Sequence, residues 1–396
     1  FYWDHPNFPE TPWQLPSALG NRSAIPEAVP APGRLFPSRL YGKPMLITEF
    51  DFAAPNAFRA EGAPLTGAYA ALQDWDALFH FTYSHSDDNV ISDQFNPRGN
   101  FFNSSTDAVK ALSQRIGLRL FLDRELRPAS PAFAVALNGG KGMDFSLEYP
   151  SDIARLGLVA QVGTVMLPPG RALPRKFTAL LDLGRNFTSG NSTLPVFHPA
   201  EAKKDLPEQL IRAGLLDPAC YQAKTGTFLS STGQLTLQPR TGIFRAVTPG
   251  CEALILPAKQ SAAGKFLSVD NQIGRGVFSA MSADGKPLQK SSRILLLHLT
   301  DTLPDRTCFG DERMILLSRW GTLPFLAARG EAKITLRTAA GGNWKLYAVA
   351  TDGSRTAEVP FQQRSGGEIQ FRAEVFRKTG ATLAYELIRD SGTAAD

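Results

Sequence analysis

Two kinds of hydrophobic patterning follow one another along the chain. Residues 44–50 (PMLITEF) form a near-continuous apolar run, as expected of a parallel strand buried on both faces. Residues 65–73 (LTGAYAALQ) are rich in Ala and Leu and read as a helix, and residues 77–85 (ALFHFTYSH) read as a second buried strand. Residues 2–5 look like a short aromatic strand end stopped by Pro6. Residues 105–126 predict a long amphipathic helix with Val109, Leu112, Ile116, Leu120 and Leu122 near helical spacing. Ser104, Ser105 or Thr106 is available as its N-cap. Strand and helix alternate through this region, which predicts an α/β layer.

From Pro128 onward short strands with turn signals take over, at residues 235–237, 242–247, 253–256, 293–299, 332–336, 344–350, 368–371 and 382–387. The turns include Asp284-Gly285, Gly341-Gly342, Asp352-Gly353 and Gly366-Gly367. This predicts β-sandwich material, with one helical exception near 206–213. Breaks in pattern near 127–131 and 305–311 divide the chain into residues 1–127, a β-rich domain at 128–308 and a C-terminal β-sandwich at 309–390. A length of 396 residues agrees with two or three domains.

Composition narrows the function classes. Apolar residues make up 43% of the chain and charged residues 20%, which excludes wholesale disorder. The 42 basic and 37 acidic residues leave a net charge of +5, but they do not cluster, so no nucleic-acid partner is expected. No apolar run reaches the ~18–20 residues of a membrane-spanning helix. Cys220, Cys251 and Cys308 lie far apart with no CxxC, and an odd count leaves at least one thiol unpaired. The five histidines, at 5, 80, 85, 198 and 298, form neither HxxxH nor HExxH, so no metal is expected. GxxxxGK[ST] and GxSxG are also missing, and no cofactor is implied. Sequons occur at Asn21, Asn103, Asn186 and Asn191. The opening FYWDHPNFPETPW is densely aromatic where a terminus is usually loose and polar. It reads as the C-terminal part of a longer, mature or clipped protein, secreted or periplasmic, with its leader upstream of Phe1.

The chemistry concentrates in YGKPMLITEFDF, residues 41–52. An apolar strand ends in a carboxylate, Glu49, and strand period two places Met45, Ile47 and Glu49 on one face. A carboxylate at the carboxyl end of a buried strand is costly unless it meets a polar cleft, and that end is where α/β active sites form. The segment GKPMLITEF resembles the seventh barrel strand of the clan A retaining glycoside hydrolases. That resemblance implies the C-terminal part of a (β/α)8 TIM barrel, with FYWDHP ending strand six and ALFHFTYSH as strand eight, followed by β-sandwich domains.

The same resemblance implies that Glu49 is a catalytic nucleophile. Retaining hydrolysis needs two carboxyl groups about 5 Å apart. A whole barrel takes ~250 residues, about 31 per unit, so strands one to five, and the acid/base glutamate on strand four, fall before Phe1. The partners implied are a carbohydrate substrate and the missing N-terminal barrel half, on the same or another chain. Asp4, Asp51, Glu61 and Asp87 are nearby carboxylates, but none matches the acid/base position. Trp3 and His5 at the strand-six end, and Tyr83 and His85 at the strand-eight end, are candidates to bind sugar, since aromatic faces suit apolar sugar faces. Asn56, Arg59 and Glu61 follow strand seven and could reach substrate. Trp75 reads as core and His80 as a satisfied buried histidine, while His198 and His298 receive no role.

The expected activity is hydrolysis of β-glycosidic bonds with retention, on a β-galactoside, β-mannoside or related plant or algal polysaccharide, as in β-galactosidases, β-mannosidases and agarases. The β domains would brace the barrel, bind carbohydrate or mediate homo-oligomerisation. The alternatives are a non-catalytic carbohydrate-binding or structural protein with a degenerate barrel, and an unrelated α/β enzyme using Glu49 as acid/base.

Overall fold

All six residues of the strand Cys251–Leu256 are buried, and so are all seven of Gly276–Ser282. These strands run antiparallel, and an antiparallel strand normally alternates between a buried and a wet face. Here both faces are covered. In the computed structural model, which describes residues 1–28, 32–91, 101–138, 151–167, 176–182, 195–198, 205–339, 342–378 and 380–390, the two strands lie near the middle of a ten-stranded antiparallel sheet.

One face of that sheet packs on a five-stranded antiparallel sheet that includes Leu267–Ile273, Glu331–Arg337 and Glu368–Glu374. Leu254, Leu256, Phe278 and Leu296 meet Leu267, Val269, Ile334 and Phe371 in the shared core. The smaller sheet alternates as a one-sided sheet should: in Glu331–Arg337 only Ala332, Ile334 and Leu336 are buried. The opposite face of the large sheet sends Ala253, Ile255 and Leu297 into a second core with Leu65, Tyr69, Val109 and Ile116.

That second core belongs to the helices α1 (Gly62–Leu72) and α3 (Ala108–Leu122). All eleven residues of α1 are buried, as befits a helix apolar on every side. A Cβ on Gly67 of α1 would collide with the carbonyl of Gly117 in α3, so only glycine permits this crossing. Beyond the helices lies a three-stranded parallel sheet, ordered β1 (Tyr2–Trp3), β3 (Leu46–Phe52), β4 (Ala77–His80). The short strand β2 (Ser17–Ala18) pairs with Leu316–Arg319. A second parallel sheet has four strands among the described residues: β5 (Ala132–Asn138), β6 (Gln161–Leu167), β7 (Ala179–Leu181) and β8 (Val196–Phe197). Their order is β6-β5-β7-β8. The remaining α-helices are α2 (Asp88–Ile91), α4 (Ser151–Leu156) and α5 (Leu206–Arg212). None of the described helices is long and apolar enough to cross a membrane.

This architecture corrects the expected fold class. Among the described residues strands make up 40% and helices 18%, and the sheets are mostly antiparallel around the ten-stranded sheet, not a TIM barrel with its helices. The strand–helix alternation of residues 1–126 is compatible with any parallel layer, and here that layer stops at three strands. The expected break near residue 308 does not separate two sheets, because Arg293–Leu299 pairs with Ala384–Asp390 and Leu267–Ile273 with Glu331–Arg337. Within the expected β-rich domain, strands β5, β6, β7 and β8 instead form the parallel sheet. Its crossover helix α4 has six residues, too few for a period to register. The N-cap of α3 is Asp107, whose carboxylate accepts from the Lys110 amide at 3.1 Å, rather than Ser104, Ser105 or Thr106.

Buried ion pairs join the parallel layer to the large sheet. The Arg59 side chain, 1% exposed, donates to Asp107 at 2.6 Å, to the Thr302 carbonyl at 2.7 Å and to Asp301. Arg275 reaches Glu61 and, at 2.9 Å, the Ser23 hydroxyl. Arg59 and Glu61 are therefore structural braces, not substrate contacts. Replacing Arg59 with Met strands Asp107 and Asp301, and a buried pair broken this way costs about 3–5 kcal/mol. Chemical denaturation of the variant is expected to give a loss of that size.

In the sandwich core His298 is fully buried, stacks on Phe278 at 4.5 Å, and among the described residues has no partner for either ring nitrogen. Burial pushes its pKa down to about 3. The unfolded imidazole takes up a proton near pH ~6.5, so the stability contribution is complete above that pH and is lost as pH falls toward 3. Between those limits the slope approaches about 1.4 kcal/mol per pH unit. His298→Leu is expected to flatten this limb of the stability–pH curve.

Candidate functional site

The carboxyl end of β3 departs from a regular pleat. Leu46 and Ile47 pair with Ala77 and Leu78, and Phe50 pairs with His80, so β3 carries one extra residue between Ile47 and Phe50. This bulge leaves Thr48 and Glu49 both exposed while Ile47 and Phe50 are buried. Met45, Ile47 and Glu49 thus do not share a face, contrary to simple period-two reading. Glu49 stands on the open side of the sheet.

Tyr2 on β1 donates its hydroxyl to Glu49 Oε2 at 2.7 Å. Burial, reinforced by the hydrogen bond and charge of Glu49, pushes the Tyr2 phenol well above its usual range. It therefore stays a neutral donor and holds one carboxylate oxygen in place. The Tyr2 ring is itself fixed by edge contacts with His5 at 5.2 Å and Phe81 at 6.2 Å, and by Phe102 at 5.2 Å.

Phe102, 2% exposed, is the centre of an aromatic tray. His5 and Trp13 lie at 5.6 and 6.2 Å from it, and Phe81 and His85 at 5.6 and 6.3 Å. His5 Nδ1 donates to the Pro6 carbonyl at 2.8 Å, which leaves Nε2 as its acceptor. His85 Nδ1 and its backbone amide both point to Asn103 Oδ1, at 2.6 and 3.1 Å, so the same tautomer is set there. Tyr83, 64% exposed, and His85 border an open hollow of about 510 Å³ with Ser84, Ser86 and Asp87. Trp13 is 63% exposed. The sequence names it only within an aromatic-rich opening, and its position in a turn hides its role from strand and helix periodicity.

Of the expected site residues, Glu49, His5, Tyr83 and His85 belong to this connected surface. Glu49 does not line the hollow; Tyr2 and Phe81 link it to the tray. Trp3 is corrected: it is 4% exposed, donates Nε1 to the Arg22 carbonyl at 3.0 Å, and has the Arg22 guanidinium over its ring at 4.6 Å. No face is left for a sugar. Asn56 is also buried, at 1% exposed, and Trp75 is core at 5%.

Of the neighbouring carboxylates Asp87 borders the hollow, while Asp4, Asp51 and Glu61 are committed elsewhere. Asp51 accepts from His80 Nε2 at 2.9 Å and from Lys110 Nζ at 2.5 Å, and Asp4 pairs with Arg22 at 3.1 Å. His80 Nδ1 meets the Gln114 amide at 3.1 Å, so this histidine is satisfied on both sides. An apolar pocket of about 290 Å³ lies against it between α1, α3 and β4. A larger hollow of about 750 Å³, bordered by Ser104, Leu323, Phe325, Thr351 and Leu383, contains none of the expected site residues. Among the described residues no group of three or more His, Cys, Asp or Glu could hold a metal ion. The three cysteines are free.

No family model, curated protein or solved structure matches the chain. The site's chemistry rests on its geometry. Absorbance titration in alkali is expected to show Tyr2 ionising well after a free tyrosine, which titrates near pH ~10. Glu49→Gln removes the neighbouring charge and is expected to move that ionisation back down. An unchanged titration would show that the hydrogen bond is not formed in solution.

Proposed function

We propose that the chain is a carbohydrate-active enzyme, a retaining β-glycosidase with Glu49 as its nucleophile. The observation that carries this reading is the hydrogen bond from Tyr2 to an otherwise exposed Glu49 beside an aromatic tray. One oxygen, Oε2, is held by the phenol, and Oε1 is left to attack an anomeric carbon. Aromatic faces such as Trp13 and Tyr83 suit the apolar faces of pyranose rings. The likeness of GKPMLITEF to a glycosidase nucleophile strand agrees with this, and β-galactosides and β-mannosides are the substrate classes it suggests.

In the first step Glu49 bonds to the anomeric carbon as the glycosidic C–O bond breaks, and the departing oxygen takes a proton from the acid/base. In the second, water gives that group a proton and displaces Glu49, restoring the original configuration. Among the described residues Asp4, Asp51 and Glu61 are already paired. An acid/base would have to approach Glu49 over the open face of β3 and β4, where Leu46 and Phe79 are 47% and 54% exposed.

A second reading, non-catalytic carbohydrate binding, is favoured because among the described residues no second carboxylate is seen against Glu49. A 2-deoxy-2-fluoro β-glycoside with a dinitrophenyl leaving group separates the two, because that group departs without protonation. The expected result is a covalent sugar on the Glu49 peptide by mass spectrometry. In the assembled enzyme Glu49→Gln is expected to lower turnover on the order of 10³-fold or more, with oligosaccharide binding kept. No adduct, together with binding that Trp13→Ala weakens about tenfold, would establish the second reading instead.

A further inference from the structure

Trp13 breaks a local rule. Residues 11–14 form a β-turn, closed by the Gln14 amide donating to the Thr11 carbonyl at 3.1 Å. Pro12 suits the second position of such a turn. Trp13, at φ 61°, occupies the third, where a positive φ calls for Gly or Asn. A bulky side chain is strained in that conformation, and among the described residues Trp13 is the one aromatic residue so held. Little burial is gained in return. Trp13 is 63% exposed, while Trp3, Trp75, Trp320 and Trp344 are 8% exposed or less. Strain of this kind is kept where a site uses it.

The exposed ring is nevertheless fixed, with Phe8 at 4.9 Å, His5 at 5.9 Å and Phe102 at 6.2 Å. The His5 ring meets the indole edge-on, at 75°. Its Nδ1 is taken by the Pro6 carbonyl, so the acceptor Nε2 stands beside the indole. A flat apolar face with a hydrogen-bond acceptor at its rim matches one pyranose ring, whose C–H face stacks while an edge hydroxyl donates to Nε2. The platform is continuous with the carboxylate, because Tyr2 touches His5 at 5.2 Å and donates to Glu49. We propose that Trp13 and His5 form a subsite of their own for a further sugar of an extended chain, so that the protein selects oligosaccharides over simple glycosides. This rests on the carbohydrate reading of the Glu49 surface and adds the length of the substrate. The ring is rigid before the sugar arrives, which lowers the ordering cost of binding.

Because the other four tryptophans are buried, acrylamide quenching of the intrinsic fluorescence reports on Trp13. In the full chain, β-linked mannopentaose or galactopentaose is expected to protect against quenching saturably, with the matching disaccharide binding about tenfold more weakly. By calorimetry Trp13→Gly is expected to weaken pentasaccharide binding about tenfold, while its melting temperature stays level or rises, since glycine is at ease at this φ. His5→Ala is expected to weaken binding about threefold. A ring kept only for packing would make Trp13→Gly less stable and leave binding intact. Should Trp13→Gly fail to fold, the quenching of the unmodified chain still decides. No protection by either pentasaccharide, equal affinity for disaccharide and pentasaccharide, or undiminished binding by Trp13→Gly would overturn the proposal. Trapping at Glu49 is scored separately. Protection of Trp13 without a covalent adduct would uphold the subsite and refute the nucleophile, and an adduct without protection would do the reverse.

Discussion

The fold turns on one constraint, that the central antiparallel sheet must be dry on both sides. Strands such as Cys251–Leu256 expose nothing, so each face needs a full covering layer. The five-stranded sheet supplies one. The other is supplied by α1 and α3, which can lie close enough to seal it only because Gly67 and Gly117 let their backbones touch. With both helices spent on the large sheet and on each other, the parallel strands β1, β3 and β4 are covered on their helix side and open on the other. Glu49 sits on that open side. The exposure of the candidate nucleophile and the burial of the sandwich core are two consequences of one layering.

The charged residues obey the same geometry. Arg59, Glu61, Asp107 and Lys110 all lie where layers meet, and each is buried against an opposite charge. Such pairs need close partners, because an unpartnered charge in these positions is expensive. Residues that look like loop chemistry along the chain are thus fasteners between strata. The exposed surface around Phe102 is aromatic and hydroxyl-rich instead.

The local elements could be read from the chain with good fidelity where periodicity is long. Strand β3, helix α1, strand β4 and helix α3 fall close to their expected positions, as does α5. What could not be read has physical causes. An apolar run such as Cys251–Leu256 looks the same whether its neighbours run parallel or antiparallel. The parallel arrangement of β5 to β8 is hidden because its strands shorten to two residues at β8. The cap at Asp107 is masked by the Ser-Ser-Thr cluster before it. Trp3 and Trp13 look equally available in an aromatic segment, and only tertiary packing puts one beneath Arg22 and leaves the other in solvent.

The bulge in β3 has a consequence for how this surface can change over evolutionary time. Ile47 and Phe50 face inward on either side of the bulge, so whatever stands between them faces outward. Point substitutions at Thr48 would leave the orientation of Glu49 untouched, and losing Thr48 would set the acid in the single outward place of a regular zigzag. Lineages could therefore drift in composition, and shorten by one codon, at this spot without turning the acid inward.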